Sequence, residues 1–195
     1  MIGKQPCILI VGSSGVGKST LLSTCLQKSW PSDWKVKIPQ KHKTRPIRNF
    51  EESIEIHSIS KADFHRAIAG GEYAVYYESY EECYGLPLSE FELELPKTLY
   101  VQATPLHVAL KLKEILAARW DIKICSLEAD VSTIRARLRT RGDQGTLSKI
   151  DERANSALRD RQAAADITIS AIQSSDEVFN EFQSWAVKIY KLSAD

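Results

Sequence analysis

The 195-residue sequence lacks an apolar run that approaches the roughly eighteen residues of a membrane span, which argues against an integral membrane protein. It also lacks a charge imbalance, because 26 Lys and Arg residues stand against 25 Asp and Glu residues and the formal net charge is +1. No overall field therefore attracts nucleic acid or a membrane surface, and we expect neither as a partner. No signal peptide precedes the first apolar run, which favours a cytoplasmic protein. Composition leaves the oligomeric state open.

Metal-ligand and disulfide patterns are absent as well. The four cysteines show no C-x-x-C spacing, so the sequence indicates neither a zinc site nor a disulfide framework. Three of them lie in apolar or periodic surroundings that are typical of small core residues. The four histidines have no metal-binding spacing, and we expect structural or surface positions for them.

A glycine-rich segment is the most informative stretch that is present. It reads Gly12-Ser-Ser-Gly-Val-Gly-Lys-Ser19, follows an apolar run at 7–11 and precedes a helical pattern. This is G-x-x-x-x-G-K-S between a strand and a helix, which predicts a phosphate-binding loop for a nucleoside triphosphate. Lys18 is expected to reach the β- and γ-phosphates, and the Ser19 hydroxyl to bind Mg²⁺. The expected nucleotide-binding residues are Gly12, Ser13, Ser14, Gly15, Val16, Gly17, Lys18, Ser19 and Thr20.

Strand and helix patterns alternate along most of the chain. Strands are predicted at 7–11, 35–38, 72–77, 99–103, 122–127 and 167–171, and a turn at 84–87. Helices are predicted after the loop, at 61–68, 106–118, 131–139 and about 147–164, and at the end of the chain. The alternation predicts a parallel sheet with helices on both faces and the loop at the carboxyl end of the first strand.

Three further features accompany the loop in a fixed order. They are Thr44-Arg-Pro-Ile-Arg48, then Gly71-Glu-Tyr-Ala-Val75 with Tyr84-Gly85, then Arg137-Leu-Arg-Thr-Arg-Gly142 with Ile150-Asp-Glu-Arg153. Together with the loop they resemble the guanylate kinase family over essentially the whole chain. The resemblance implies a single α/β domain of the P-loop NTPase type, with three layers, a parallel central sheet, a small acceptor-binding lobe and a lid. The core would be 1–34 and 98–195, the lobe about 35–97 and the lid about 137–153.

The resemblance also implies an ATP-dependent phosphotransferase that uses Mg²⁺ and a small phosphorylated acceptor. Phosphoryl transfer depends on positioning and charge neutralisation, for which the planar guanidinium group is well suited. Arg45, Arg48 and Tyr84 match the residues that hold the acceptor phosphate in the family. The implied catalytic residues are Lys18, Arg45 and the three arginines that match the family's lid, Arg137, Arg141 and Arg153.

The chain departs from the family where guanine is read. Val75 occupies the position of a base-reading glutamate, and the strand at 99–103 contains no acidic residue. A shifted alignment places Glu78, or else Glu81 or Glu82, against the base. We therefore expect GMP or a related nucleoside monophosphate as acceptor, with Glu78 as a substrate-binding candidate. The absence of these guanine-reading residues is also similar to the pattern in a sister group, the ribose 1,5-bisphosphate phosphokinases. An enzyme of that group would make phosphoribosyl diphosphate.

Two other functional classes fit the loop less well. A regulatory GTPase is disfavoured because no D-x-x-G and no N-K-x-D follow the loop. A non-catalytic guanylate kinase-like binding module is disfavoured because such modules tend to have eroded phosphate loops, whereas this loop is intact. The sequence leaves open whether Glu51, Glu52 and Glu55 contact a ligand or balance nearby charge.

Overall fold

The computed structural model describes residues 4–47, 50–79, 82–92, 95–140 and 164–192. The first half of the described chain contains β1 (Gln5–Gly12), α1 (Lys18–Gln27), β2 (Lys35–Lys37), β3 (Lys41–Lys43), α2 (Phe50–Glu55), β4 (Ile56–Ser58) and α3 (Lys61–Ala69). The second half contains β5 (Tyr73–Ser79), β6 (Glu82–Pro87), β7 (Thr98–Ala103), α4 (Leu106–Ile115), β8 (Trp120–Glu128), α5 (Val131–Thr140), β9 (Ile167–Ser170) and α6 (Ser175–Tyr190). Short 3-10 turns lie at Pro31–Asp33 and Leu88–Phe91.

A five-stranded parallel sheet in the order β2-β7-β1-β8-β9 forms the centre of the fold. β1 is apolar along most of its length because both of its faces are covered. Ile8 and Ile10 pack on the side of α1 and α6, whereas Leu9 and Val11 pack on the side of α4. The predicted three-layer α/β fold with a parallel central sheet is therefore confirmed.

A second sheet of four strands, in the order β4-β3-β6-β5, follows β2 in the chain. It is mixed, because β3 is parallel to β4 and antiparallel to β6, and β5 is antiparallel to β6. We call it the smaller sheet. Of the predicted acceptor-binding lobe at 35–97, β2 belongs to the central sheet, so the smaller sheet begins only at Lys41.

The predicted turn at 84–87 is instead part of β6, a strand between β3 and β5. Gly85 and Pro87 suggested a turn, but tertiary packing explains the glycine. A Cβ atom at Gly85 would lie 2.5 Å from Cε1 of Tyr73, so only glycine lets the Tyr73 ring lie against this strand.

The helix predicted at about 147–164 lies almost wholly outside the described residues, as does most of the predicted lid at 137–153. All four cysteines are buried free thiols, whereas core positions were predicted for three of them. Within the described ranges, no helix combines the length and apolarity required to cross a membrane.

Candidate active site

The phosphate loop, residues 12–19, joins the carboxyl end of β1 to the start of α1 at the centre of the five-stranded sheet. Gly15 has φ 81° and Gly17 has φ 114°, backbone conformations that favour glycine. At Gly15, a Cβ atom would also lie 2.9 Å from Cγ of Leu138 in α5. Val16 between them is 1% exposed and anchors the loop in the core. The loop is therefore held in a defined shape, with the backbone amides at the N-terminus of α1 placed to meet an anion.

Lys18 is the first residue of α1, and its side chain lies across the loop. Its Nζ atom donates hydrogen bonds to the carbonyl oxygens of Gly12, at 2.9 Å, and Ser13, at 2.8 Å. These contacts hold an ammonium group beside the loop amides. Ser19 and Thr20 follow in the first turn of α1, so all the predicted nucleotide-binding residues lie in this one segment.

Arg137 is the one predicted lid arginine that falls within the described residues. It lies on α5, and its guanidinium group donates to the carbonyl oxygen of Val16 at 2.9 Å and to that of Ala171 at 2.8 Å. The arginine therefore joins the phosphate loop to the segment after β9, on the side of the loop where Gly17 lies. Arg141 and Arg153 lie outside the described residues.

Ser19 has an unexpected partner, Glu55 at the end of α2. The Ser19 hydroxyl donates to Glu55 Oε1 at 2.8 Å, and Glu55 Oε2 forms an ion pair with Lys41 Nζ at 2.9 Å. Lys41 also donates to the carbonyl oxygen of Ala103, at 2.8 Å. Burial lowers the pKa of Lys41, but the Glu55 charge and hydrogen bond more than compensate, so the pKa lies above its ordinary value.

Glu55 and Lys41 were not predicted as site residues. Both are buried, at 5% and 7% exposure, which is rare for ionisable side chains without a partner. The only sequence signal for Lys41 is the alternation of basic residues at 41, 43 and 45, because side chains two apart in a strand share a face. Glu55 had no signal beyond its proximity to the arginine motif.

A cluster of tyrosines and basic residues lies on one face of the smaller sheet. Tyr77 and Tyr84 are register partners and stack, with ring centroids 5.1 Å apart and planes at 6°. Lys43 Nζ lies 4.8 Å from the Tyr84 ring centroid. Burial raises the pKa of the Tyr84 hydroxyl, and the positive charge of Arg45 partly opposes that rise. Lys43 is the register partner of Tyr84, and Arg45, which like Tyr84 is expected to bind the acceptor, follows Lys43 by two residues.

Comparisons with known proteins agree with this arrangement. No known family profile matches the sequence. The chain is 29% identical over 178 residues to a ribose 1,5-bisphosphate phosphokinase (PhnN) of Bradyrhizobium diazoefficiens, covering 90% of this chain and 84% of that protein. It is 31% identical over 101 residues to a guanylate kinase of Vibrio parahaemolyticus, an alignment of 51% of this chain and 48% of that protein. A guanylate kinase structure from Anaplasma phagocytophilum shares the fold, with a TM-score of 0.68 at 17% identity over 96% of this chain and 88% of that one.

The chain is similar in sequence to kinases of the guanylate kinase-like group of P-loop kinases and shares the fold of a guanylate kinase. Its relatives at the level of sequence are kinases, which confirms the prediction of an enzyme of this class. The fold neighbour confirms the predicted guanylate kinase-like architecture.

In this guanylate kinase-like protein, Glu78 lies away from the tyrosine cluster. It is the register partner of Cys83, and the Cys83 thiol lies 3.9 Å from Glu78 Oε1. Because successive side chains in a strand alternate, Cys83 and Glu78 are on the face opposite Tyr84. Glu78 therefore does not share a face with Tyr84, and its role as a substrate-binding residue stays a prediction. Glu82, two residues before Tyr84, is on the Tyr84 face and accepts a hydrogen bond from the Thr44 hydroxyl at 3.0 Å.

Neither Val75 nor the end of β7 offers an acidic side chain to a base in this kinase. Val75 packs against the buried cluster that contains Leu86 and Phe91. Gln102 near the end of β7 is fully buried, and its Oε1 accepts from the Ala103 amide at 2.6 Å while its amide nitrogen donates to the Pro39 carbonyl. Arg48, the remaining expected acceptor residue, lies outside the described residues.

Proposed function

We propose that this kinase transfers the γ-phosphoryl group of ATP to the 1-phosphate of ribose 1,5-bisphosphate and forms phosphoribosyl diphosphate and ADP. An oxygen of the acceptor's 1-phosphate attacks the γ-phosphorus. The bond between that phosphorus and the β–γ bridging oxygen breaks, and ADP leaves with the bond's electron pair. The protein contributes by positioning two polyanions and balancing their charge, since this chemistry requires no covalent intermediate with a side chain.

The observation that carries the acceptor assignment is the loss of base-reading groups beside a retained set of cations. Val75 packs in an apolar cluster, and the polar atoms of Gln102 are engaged within the protein. Lys43 Nζ lies 4.8 Å from the Tyr84 ring centroid instead, and Arg45 follows Lys43 by two residues. An acceptor with two phosphates and no base suits such a face, because guanidinium and ammonium groups bind phosphate directly.

The alignments point in the same direction. The ribose 1,5-bisphosphate phosphokinase relative aligns along 90% of this chain, whereas the guanylate kinase alignment covers 51% of it. The similarity to the ribose 1,5-bisphosphate phosphokinase therefore includes the smaller sheet and the residues that follow it.

Each side of the reaction has its own residues. Lys18 and the loop amides would hold the donor phosphates, and Arg137 would balance charge at the loop. Arg45 and Tyr84 would hold an acceptor phosphate. Arg48, Arg141 and Arg153 are proposed for the roles that the family resemblance implies.

The residues around Ser19 fit a magnesium site, because the hydroxyl and a buried carboxylate are hard oxygen donors of the kind that Mg²⁺ prefers. The chemistry supplied there by bound Mg²⁺ is neutralisation of charge on the β- and γ-phosphates. Ser19 is the residue that we expect to contact the ion.

GMP is the second candidate acceptor, and Glu82 is the observation that favours it. Its carboxylate lies on the Tyr84 face and accepts from Thr44 at 3.0 Å, so it could also accept from the N–H groups of a guanine. In that case Glu82, and not Glu78, would be the base-reading residue.

The test is an ADP-release assay with purified protein, ATP and Mg²⁺, run separately with ribose 1,5-bisphosphate, GMP and other nucleoside monophosphates. We expect turnover with the ribose bisphosphate and a new diphosphate signal in the ³¹P NMR spectrum of the product. Turnover with GMP alone would contradict the proposal and favour the Glu82 alternative. ATP binding without phosphorylation of any acceptor would instead indicate a non-catalytic binding module.

A further inference from the structure

We propose that Glu55 positions the Ser19 hydroxyl for Mg²⁺, in place of the acid that the end of β7 lacks. The proposal rests on the proposed use of Mg²⁺-ATP as phosphoryl donor, but not on the identity of the acceptor. Glu55 is a positioning residue in this scheme, because it acts on the metal through Ser19.

The carboxyl end of β7 lacks an acidic residue. In P-loop NTPases, Mg²⁺ is held by the loop Ser or Thr and an aspartate from a neighbouring strand. β1 has two neighbours, β8, which ends at Glu128, and β7, whose last residues are Gln102 and Ala103. Lys41, the ion-pair partner of Glu55, contacts the β7 side through Ala103. The Gln102 amide is neutral, fully buried and bonded to Pro39 and Ala103. This strand therefore offers no carboxylate to a metal at Ser19.

Glu55 lies within hydrogen-bond distance of Ser19. It reaches Ser19 from 36 residues along the chain, and the Oε1 atom accepts the Ser19 hydroxyl proton at 2.8 Å. A hydroxyl group has one proton and two lone pairs. With the proton directed to Glu55, the lone pairs of Ser19 Oγ are left for a metal ion. The carboxylate thus sets the orientation that a metal-binding serine requires.

Lys41 holds the carboxylate of Glu55 in place. Lys41 Nζ lies 2.9 Å from Glu55 Oε2 and balances its charge, which a buried carboxylate requires. Lys41 also donates to the carbonyl oxygen of Ala103, the last residue of β7. Lys41 therefore fixes Glu55 at the carboxyl end of β7, the edge of the sheet from which the absent acid would have come.

The experiment measures ADP binding with and without Mg²⁺ by isothermal titration calorimetry, with no acceptor present. We expect Mg²⁺ to strengthen ADP binding by the wild-type protein, and Glu55→Gln to reduce that strengthening by about tenfold or more, the usual effect of losing a group that orients a metal ligand. ADP affinity without Mg²⁺ should stay unchanged. Equal strengthening by Mg²⁺ in the variant and the wild type would overturn the proposal.

Matched variants separate this role from a structural one. Glu90→Gln removes another carboxylate that pairs with a lysine, Lys37, and should leave the Mg²⁺ effect intact. Ser19→Ala should itself reduce the Mg²⁺ effect, and adding Glu55→Gln to it should cause little further loss, because Glu55 acts through Ser19. Additive losses in the double variant would contradict the proposal.

Glu55→Asp provides a second readout if Glu55→Gln does not fold, since it keeps the charge next to Lys41 but shortens the reach to Ser19. We expect a folded protein with a reduced Mg²⁺ effect and Mn²⁺ affinity weakened in electron paramagnetic resonance titrations with ADP. Unchanged Mn²⁺ affinity would overturn the proposal. Because no acceptor is used, failure of the ribose bisphosphate assay leaves these outcomes unaffected.

Discussion

The phosphate loop and the tyrosine-lined face of the smaller sheet are assembled in different ways. The loop is a contiguous segment whose shape follows from its own glycines and from the strand and helix that flank it. The face of the smaller sheet combines side chains from separate strands, such as Lys43, Tyr77 and Tyr84. Its chemistry therefore depends on register and strand pairing, and it can change while the loop stays the same. This difference explains how a chain can keep the donor machinery of its group and alter its acceptor.

The strongest test of the loop is Lys18→Ala. It removes the ammonium group that lies across the loop, and we expect transfer to fall by about a thousandfold or more, the scale of losing a key electrostatic stabiliser. The measurement is the rate of ADP release with saturating acceptor. Lys28→Ala is the control, because Lys28 follows α1 and forms only an exposed ion pair with Asp176. Turnover retained in Lys18→Ala would contradict the mechanism.

The matching test of the smaller sheet is Arg45→Ala. A hydrogen bond to a charged group contributes about 1.5–3 kcal/mol, so the KM for the acceptor should rise by roughly ten- to a hundredfold. The dissociation constant of ATP should not change, because Arg45 follows β3 of the smaller sheet and is not part of the phosphate loop. Arg66→Ala serves as control, since Arg66 is an exposed partner of Asp63. If Arg45→Ala changed only the affinity for ATP, the assignment of the phosphate loop to the donor and of the smaller sheet to the acceptor would be wrong.

Arg137→Ala should have a smaller effect, on the donor side only. It removes the guanidinium contacts to Val16 and Ala171, and we expect the KM for ATP to rise by about tenfold, with the KM for the acceptor unchanged. Steady-state kinetics with each substrate varied in turn provide the measurement. Arg139→Ala, an exposed arginine of the same helix, should leave both constants unchanged.

The smallest expected effect concerns Asp130, which caps the start of α5. Bonds from Ser132 and Thr133 lower its pKa to about 2, from an ordinary value of 3.8. A lowered pKa stabilises the fold above the unfolded value, and that contribution is lost as pH falls toward the folded value. Asp130→Ala should therefore lower Tm slightly at pH 6, and the difference should shrink between about pH 4 and pH 2. A difference in Tm that is independent of pH would contradict this assignment.

Most of the fold was predictable because its signals are local. The apolar strands and periodic helices of the central sheet appear close to the expected boundaries, as with β7 at Thr98–Ala103 against a prediction of 99–103. The smaller sheet was harder to predict. β3 and β4 are three residues each, too short for a periodic pattern, and Gly85 and Pro87 in β6 resemble turn residues. Their strand conformation depends on pairing with neighbours distant in sequence.

The candidate site likewise contains residues that local sequence predicts and residues that depend on long-range contacts. Lys18 and Ser19 were identified from spacing alone, because the phosphate loop is one continuous motif. Glu55 could not be identified in this way, since its contact with Ser19 spans 36 residues. The face on which Glu78 lies could not be predicted either, because alternation along a strand depends on register, and a shift of one residue moves every side chain to the other face.

The sequence by itself determined the phosphate loop and the parallel sheet around it, because these depend on short-range patterns of glycine and apolar residues, and it indicated the kinase group that the chain resembles through the order of its short motifs. Only the tertiary structure decided which carboxylate lies at Ser19 and which lies on the face of Tyr84. It directs Glu55 to Ser19 and Glu82 to the face of Tyr84, and it turns Glu78 away. The physical reason is that the role of a charged side chain depends on the groups within hydrogen-bond distance of it in the folded chain. Strand register and burial determine which groups these are.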